Sequence, residues 1–146
     1  MLDFNILKKV ALKSVILGGI IGILTLIPYL NFFSFLCLLF LVGPIVLIYA
    51  HYNNILGVLD TKEGAIWGAI SGICAFSGFF VTFCPIAALL GIFIKHDIYM
   101  VMKLFFTSGG GIVILILSFF MIGMIVALFN AFCGTAASYL YHQLKK

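Results

Sequence analysis

Three stretches of this chain, residues 14–59, 64–94 and 104–144, contain no Asp, Glu, Lys or Arg at all. A soluble domain carries about 25% charged residues, whereas this one carries 8%, with 65% hydrophobic residues and a mean hydropathy of +1.34. The chain is therefore read as an integral membrane protein. A helix needs about 20 residues, rising 1.5 Å each, to cross the hydrocarbon core, so the first stretch is long enough for two crossings. Pro28-Tyr29-Leu30-Asn31 supplies the turn between them, because proline disfavours helix in the residue before it and Asn31 can cap the next helix. The first span is expected over about residues 7–27 and the second over about 32–52.

The third span has a marked start in Asp60-Thr61-Lys62-Glu63. Asp60 can accept from the free amides of the first turn while Glu63 reaches back, a capping box. The helix is expected over about residues 61–82, with Pro85 disturbing its far end. Residues 85–94 stay apolar, and extension of the helix, a dip back into the membrane or a surface path all remain open. Lys95, Tyr99 and Lys103 then recur every fourth residue, which suits an interfacial segment over about residues 95–106 with its lysines snorkelling into water. A fifth span here would bury Lys95, Asp97 and Lys103 at about 2.5–3.5 kcal/mol each. Gly109-Gly110-Gly111 reads as a flexible joint, and the fourth span as about residues 112–141. The expected fold is one all-α integral membrane domain over residues 1–146. It has four transmembrane helices in two hairpins, with a short interfacial segment between helices 3 and 4.

Lysine placement orients these spans. Lys8, Lys9, Lys13, Lys62, Lys145 and Lys146 share one face and oppose only Lys95 and Lys103, which puts both termini in the cytoplasm. Tyr49, Tyr52, Trp67, Tyr139 and Tyr141 fall at the expected cytoplasmic helix ends, with Tyr29 and Tyr99 at the other, as aromatic belts do. Trp67, Tyr49, Tyr52, Tyr139, Lys95 and Lys103 are accordingly read as interfacial anchors. The opening apolar run ends in Leu-Ile-Pro-Tyr-Leu-Asn without a small-x-small cleavage pattern, and reads as a retained anchor.

No expected span holds an ionisable carboxylate, lysine or arginine in its middle, which weighs against a proton-driven pump. Of the polar residues within spans, Asn130 is the only deep side-chain amide, and it either lines a cavity or fixes a helix pair. Pro44, after Gly43, kinks the second helix by colliding with the carbonyl of Phe40, either shaping the bundle or exposing backbone along a pathway. Cys37, Cys74, Cys84 and Cys133 lack paired spacing, and His51 and His142 lack metal-ligand spacing. No catalytic residue, metal site or cofactor is expected, and no basic cluster large enough for nucleic acid exists.

Glycines carry the remaining signal. In "GAIWGAISG", residues 64–72, Gly64, Gly68 and Gly72 drift by only about 40° per step and form one groove, despite a cost of about 1 kcal/mol each relative to alanine. Gly18 and Gly22 on the first helix, and Asn130, Gly134 and Ser138 on the fourth, offer matching small faces. Close backbone approach through such a glycine zipper offsets the cost, and the third helix is expected at the centre of the bundle.

The order "LGGIIGILTLIPYLNFFSFLCLLFLVGPIVLIYAHY", "DTKEGAIWGAISG" and "ALFNAFCGTAASYLY" resembles small prokaryotic four-span membrane proteins classed as domains of unknown function. That resemblance implies the same topology in a bacterial inner membrane and carries over no activity. The expected role is non-enzymatic, acting in the lipid bilayer through association of helices with a second copy or a larger membrane protein. The alternative is a small transporter or channel subunit whose pathway is lined by backbone and hydroxyl groups.

Overall fold

In a computed structural model the protein is all-helical over the described residues, 4–53, 55, 60–94 and 97–144. Six helices follow in order: α1 (Phe4–Thr25), α2 (Asn31–Phe40), α3 (Val42–Tyr52), α4 (Thr61–Phe93), α5 (Asp97–Thr107) and α6 (Gly109–Leu144). Two of them, α4 and α6, are long and apolar enough to cross a membrane, and α2 with α3 makes a third candidate if the bent pair is one span. α1 falls short of this standard because Lys8, Lys9 and Lys13 crowd its first half.

α4 packs against each of the other helices. Its capping box forms as the sequence predicts: the Thr61 amide donates to Asp60 Oδ1 at 2.8 Å, and the Asp60 amide donates to the Glu63 carboxylate at 3.4 Å. Asp60→Ala is expected to destabilise the protein by about 1 kcal/mol, measured as thermal unfolding in detergent; an unchanged transition would show that the cap is idle.

Several boundaries differ from the sequence reading, each for a local reason. α2 starts at Asn31 with Leu30 at the cap position, and no side chain caps it, so Asn31 is not the expected cap. α4 does not stop near residue 82 but continues through Pro85 to Phe93. Its last turns are held by burial of Cys84 and Ala87 and by close approach of Gly91 to Tyr99 on α5. The three glycines before residue 112 are no flexible joint: they form the first turn of α6, with only Ser108 separating it from α5. A side chain on Gly111 would overlap the Phe105 carbonyl, so the tight corner needs glycine there. α5 covers most of the residues expected for the interfacial segment, although Lys95 lies outside the described residues. Tyr99 is buried and its hydroxyl donates to the Leu26 carbonyl, tying α5 to the turn after α1.

The break in the second helix falls at Leu41, where α2 and α3 bend by 54°. Pro44 itself sits in the first turn of α3, where its missing N–H costs little. The bend comes earlier because the proline ring clashes with the carbonyl four residues back, that of Phe40.

Along α4 the packing changes character. Its first turns present glycines to neighbouring backbone, and the following turns bury Phe76, Phe79 and Phe83. Phe76 stacks on Phe119 of α6 at 5.3 Å between ring centroids, and Phe79 on Phe83 at 5.2 Å. Rings thus fill the volume that the glycine turns close by direct backbone approach.

Candidate functional site

The small residues of α4 meet two other helices. A Cβ placed on Gly64 would overlap the Ser138 hydroxyl, and one on Gly68 would overlap the Asn130 carbonyl. One on Gly72 would stand 2.9 Å from Asn130 Cβ, and one on Gly134 2.5 Å from the Gly64 carbonyl. The face of α4 toward α1 is built alike: a Cβ on Gly18 would overlap the Ala75 carbonyl, one on Gly22 would stand 3.1 Å from that of Phe79, and one on Gly78 would overlap that of Val15. At both faces the backbones are too close for a side chain, the geometry that gives membrane helices their van der Waals association.

Asn130 stands where the glycine face of α4 meets the broken helix. It is fully buried, and every bond of its amide goes to backbone. Oδ1 accepts from the Gly43 amide at 2.6 Å, while Nδ2 donates to the Leu38 carbonyl at 3.0 Å and to the Val126 carbonyl at 2.9 Å. Leu38 is on α2 and Gly43 on α3, so one side chain of α6 bridges the two pieces across the bend. Gly43 has to be glycine for this, since a Cβ there would stand 2.9 Å from the Asn130 carbonyl. Pro44 contributes only through the break; its ring makes no part of the amide's bonding. Ser14, Thr25, Ser71, Ser77, Thr82 and Thr135 instead donate to carbonyls three or four residues back on their own helices. That is the bland fate of a hydroxyl in a span.

At the end of the bundle shared by the α1 start and the α3 end, the ammonium of Lys13 lies 5.3 Å from the Tyr49 ring centroid. Tyr141 Oη is 2.5 Å from His51 Nε2 and the rings meet at 4.3 Å, joining α3 to α6. Sequence reasoning missed this pair and grouped His51 with His142. The available signal was that "IYAHY" and "YLYHQ" both end helices at the same expected depth. Beside the pair lies a cavity of about 420 Å³ between α3 and α6, floored by Leu47, Ile48 and Ala137. Ser138 lines it too, and its buried hydroxyl has no hydrogen-bond partner among the described residues.

Of the residues read as anchors, Tyr52 and Tyr139 are well exposed and Tyr49 moderately so. Lys103 is exposed as well. Trp67 departs from that reading: it is 7% exposed and belongs to the core. α4 packs against every other helix, and Trp67 leaves its glycine face into the core cluster that these contacts enclose. All four cysteines are free, and no group of three or more His, Cys, Asp or Glu side chains converges among the described residues.

Together these features describe an all-helical protein in which two helices, or three if the bent pair is one span, are long and apolar enough to cross a membrane, as in a membrane protein. Comparison with known proteins gave no matching family model, no curated relative and no solved structure of similar fold.

Proposed function

We propose that the chain is a non-enzymatic four-span protein of the bacterial inner membrane that works by associating with a second copy or with a larger membrane protein. α1 serves as the additional span, its lysines snorkelling to the surface. In support, the contacts of Lys13 with Tyr49, Gly64 with Ser138 and His51 with Tyr141 gather the α1 start, α3 end, α4 start and α6 end at one end of the bundle. That alternation is what two hairpins require. By the positive-inside rule the same end, with both termini, is cytoplasmic. Reporter fusions after Lys146 and within residues 95–103 are expected to report opposite sides, and agreement between them would exclude four spans.

The observation that carries the association reading is the use of α6. Its small face is spent on α4, so the glycine zipper closes the chain's own bundle. Its other face, including Leu117, Phe120, Met121, Met124 and Leu128, is exposed and apolar. Only 22% of its spanning window is buried, against 39% for α4. The partner surface is therefore assigned to the outer face of α6. The rival reading, a transporter or channel subunit, is favoured by the 54° break between α2 and α3, since broken helices can offer backbone groups to a passing solute. Against it, the Asn130 amide spends its bonds on that backbone.

The deciding experiment combines particle mass in mild detergent with solute or ion flux in proteoliposomes. The expected result is a particle heavier than one 16.0 kDa chain plus its detergent, with flux no higher than in empty liposomes. Flux lost on changing Asn130 would overturn the proposal in favour of its rival.

A further inference from the structure

Among the described residues the cavity is lined by α3 and α6, and it is open on one side. Its volume of about 420 Å³ lies within the range of about 300–1,000 Å³ typical of small-molecule sites. The lining is graded along the helix axes. Leu47, Ile48 and Ala137 are apolar and lie toward the middle of the bundle, with the Ser138 hydroxyl beside them, whereas His51, Tyr52 and Tyr141 sit within the last turns of their helices and form the polar rim. An amphiphile fits this gradient with its chain inward and its head at the rim, the orientation of a lipid in that leaflet. The charge of the surroundings selects the head: Lys8, Lys9, Lys13 and Lys62 outnumber Asp60 and Glu63 at this end among the described residues.

We propose that this cavity binds one acyl chain of an anionic phospholipid, with the phosphate head held at the rim by Tyr141 and His51 and attracted by the lysines of the same end. The imidazole and phenol already touch, so the phosphate joins an existing polar pair instead of meeting an apolar lip. The site requires neither a partner protein nor a transported solute. It therefore stands or falls separately from the association reading.

The test uses the full chain in mild detergent, with binding read by native mass spectrometry and thermal shift. The probes are dioleoyl phosphatidylglycerol, dioleoyl phosphatidylcholine and, as a chainless source of phosphate, glycerol phosphate. The wild type is expected to prefer the phosphatidylglycerol by about tenfold, because its head keeps a net negative charge for the lysines of this end to attract, whereas choline cancels it, and to ignore glycerol phosphate. Ala137→Phe, which fills the cavity floor, is expected to abolish binding of that lipid. Tyr141→Phe with His51→Ala, which spares the floor, is expected to weaken both lipids by about tenfold, the loss of one charge-assisted hydrogen bond to the phosphate they share, while leaving the preference. Equal binding of the two lipids by the wild type, undiminished binding in Tyr141→Phe with His51→Ala, or an equal response to glycerol phosphate overturns the proposal. If Ala137→Phe does not fold, the rim variant alone decides.

Discussion

Gly68→Leu is expected to abolish the folded bundle. A Cβ at this position overlaps the Asn130 carbonyl and lies 3.2 Å from Ala131 Cα, so the obstacle is backbone and cannot be relieved by turning a side chain. Overpacking ordinarily costs about 1–3 kcal/mol, and a clash with two backbone groups of a neighbouring helix belongs at the top of that range or above it. Separating α4 from α6 also pulls Asn130 away from Leu38 on α2 and Gly43 on α3, so four helices loosen together. Leu128→Ala makes the control: Leu128 is 70% exposed on the outer face of α6, and its truncation is expected to shift stability by less than about 0.5 kcal/mol, as for surface changes elsewhere. Leu39 is unsuitable as a control because it packs partly against the core. Thermal unfolding in detergent checks the pair, and equal midpoints for wild type and Gly68→Leu would show that the glycine face is not an interface.

The second large effect is expected from Asn130→Leu, which keeps the side chain's size and removes its amide. Interhelical hydrogen bonds in membranes average only about 0.6 kcal/mol and reach about 1.7, so two lost bonds alone would be a modest change. The greater cost is that the Gly43 amide and the Leu38 carbonyl lose their partner, at about 1–3 kcal/mol for an unsatisfied buried group. A total of about 2–4 kcal/mol is expected, with faster hydrogen exchange at the Gly43 amide. Ser71→Ala, which removes a hydroxyl bonded only to its own helix at Gly68, is expected to change little. Asn130→Asp tests the direction of the bonding, since a carboxylate still accepts from Gly43 but cannot donate to Leu38 and brings a charge into the span. It should be worse than leucine; a milder effect would mean that the donor half of the amide is dispensable.

Much of the helical framework could be read from charge spacing, because a bilayer punishes charge so heavily that uncharged runs mark spans directly. The Asp60 cap was legible for a related reason: its partners are its immediate neighbours in sequence. What escaped was set by distant packing. Pro85 reads as a breaker until Gly91 and Tyr99 are seen holding the turns beyond it. Gly109, Gly110 and Gly111 read as a joint until the α5–α6 corner shows the Phe105 carbonyl occupying the space of a missing side chain. Trp67 reads as a surface anchor because depth along a helix is visible in sequence, whereas the helices surrounding it are not. At the candidate site, Asn130 was legible as the one buried amide, but its partners 87 and 92 residues away were not. The pairing of His51 with Tyr141 was hidden in the same way, being a contact 90 residues apart.

The bridge from Asn130 to the broken helix has a consequence in time. Gly43 leaves the ribosome 87 residues ahead of Asn130, and at synthesis rates of about 5–20 residues per second that interval lasts about 4–17 s. Throughout it, α2 and α3 exist with the bend already encoded by Pro44 but without the amide that receives the loose Gly43 N–H. Until α6 arrives, that N–H must find another acceptor, since an unpaired buried amide is costly. Completion of the membrane bundle is thereby tied to the last helix made, and a chain cut short before Asn130 leaves the bend unsealed.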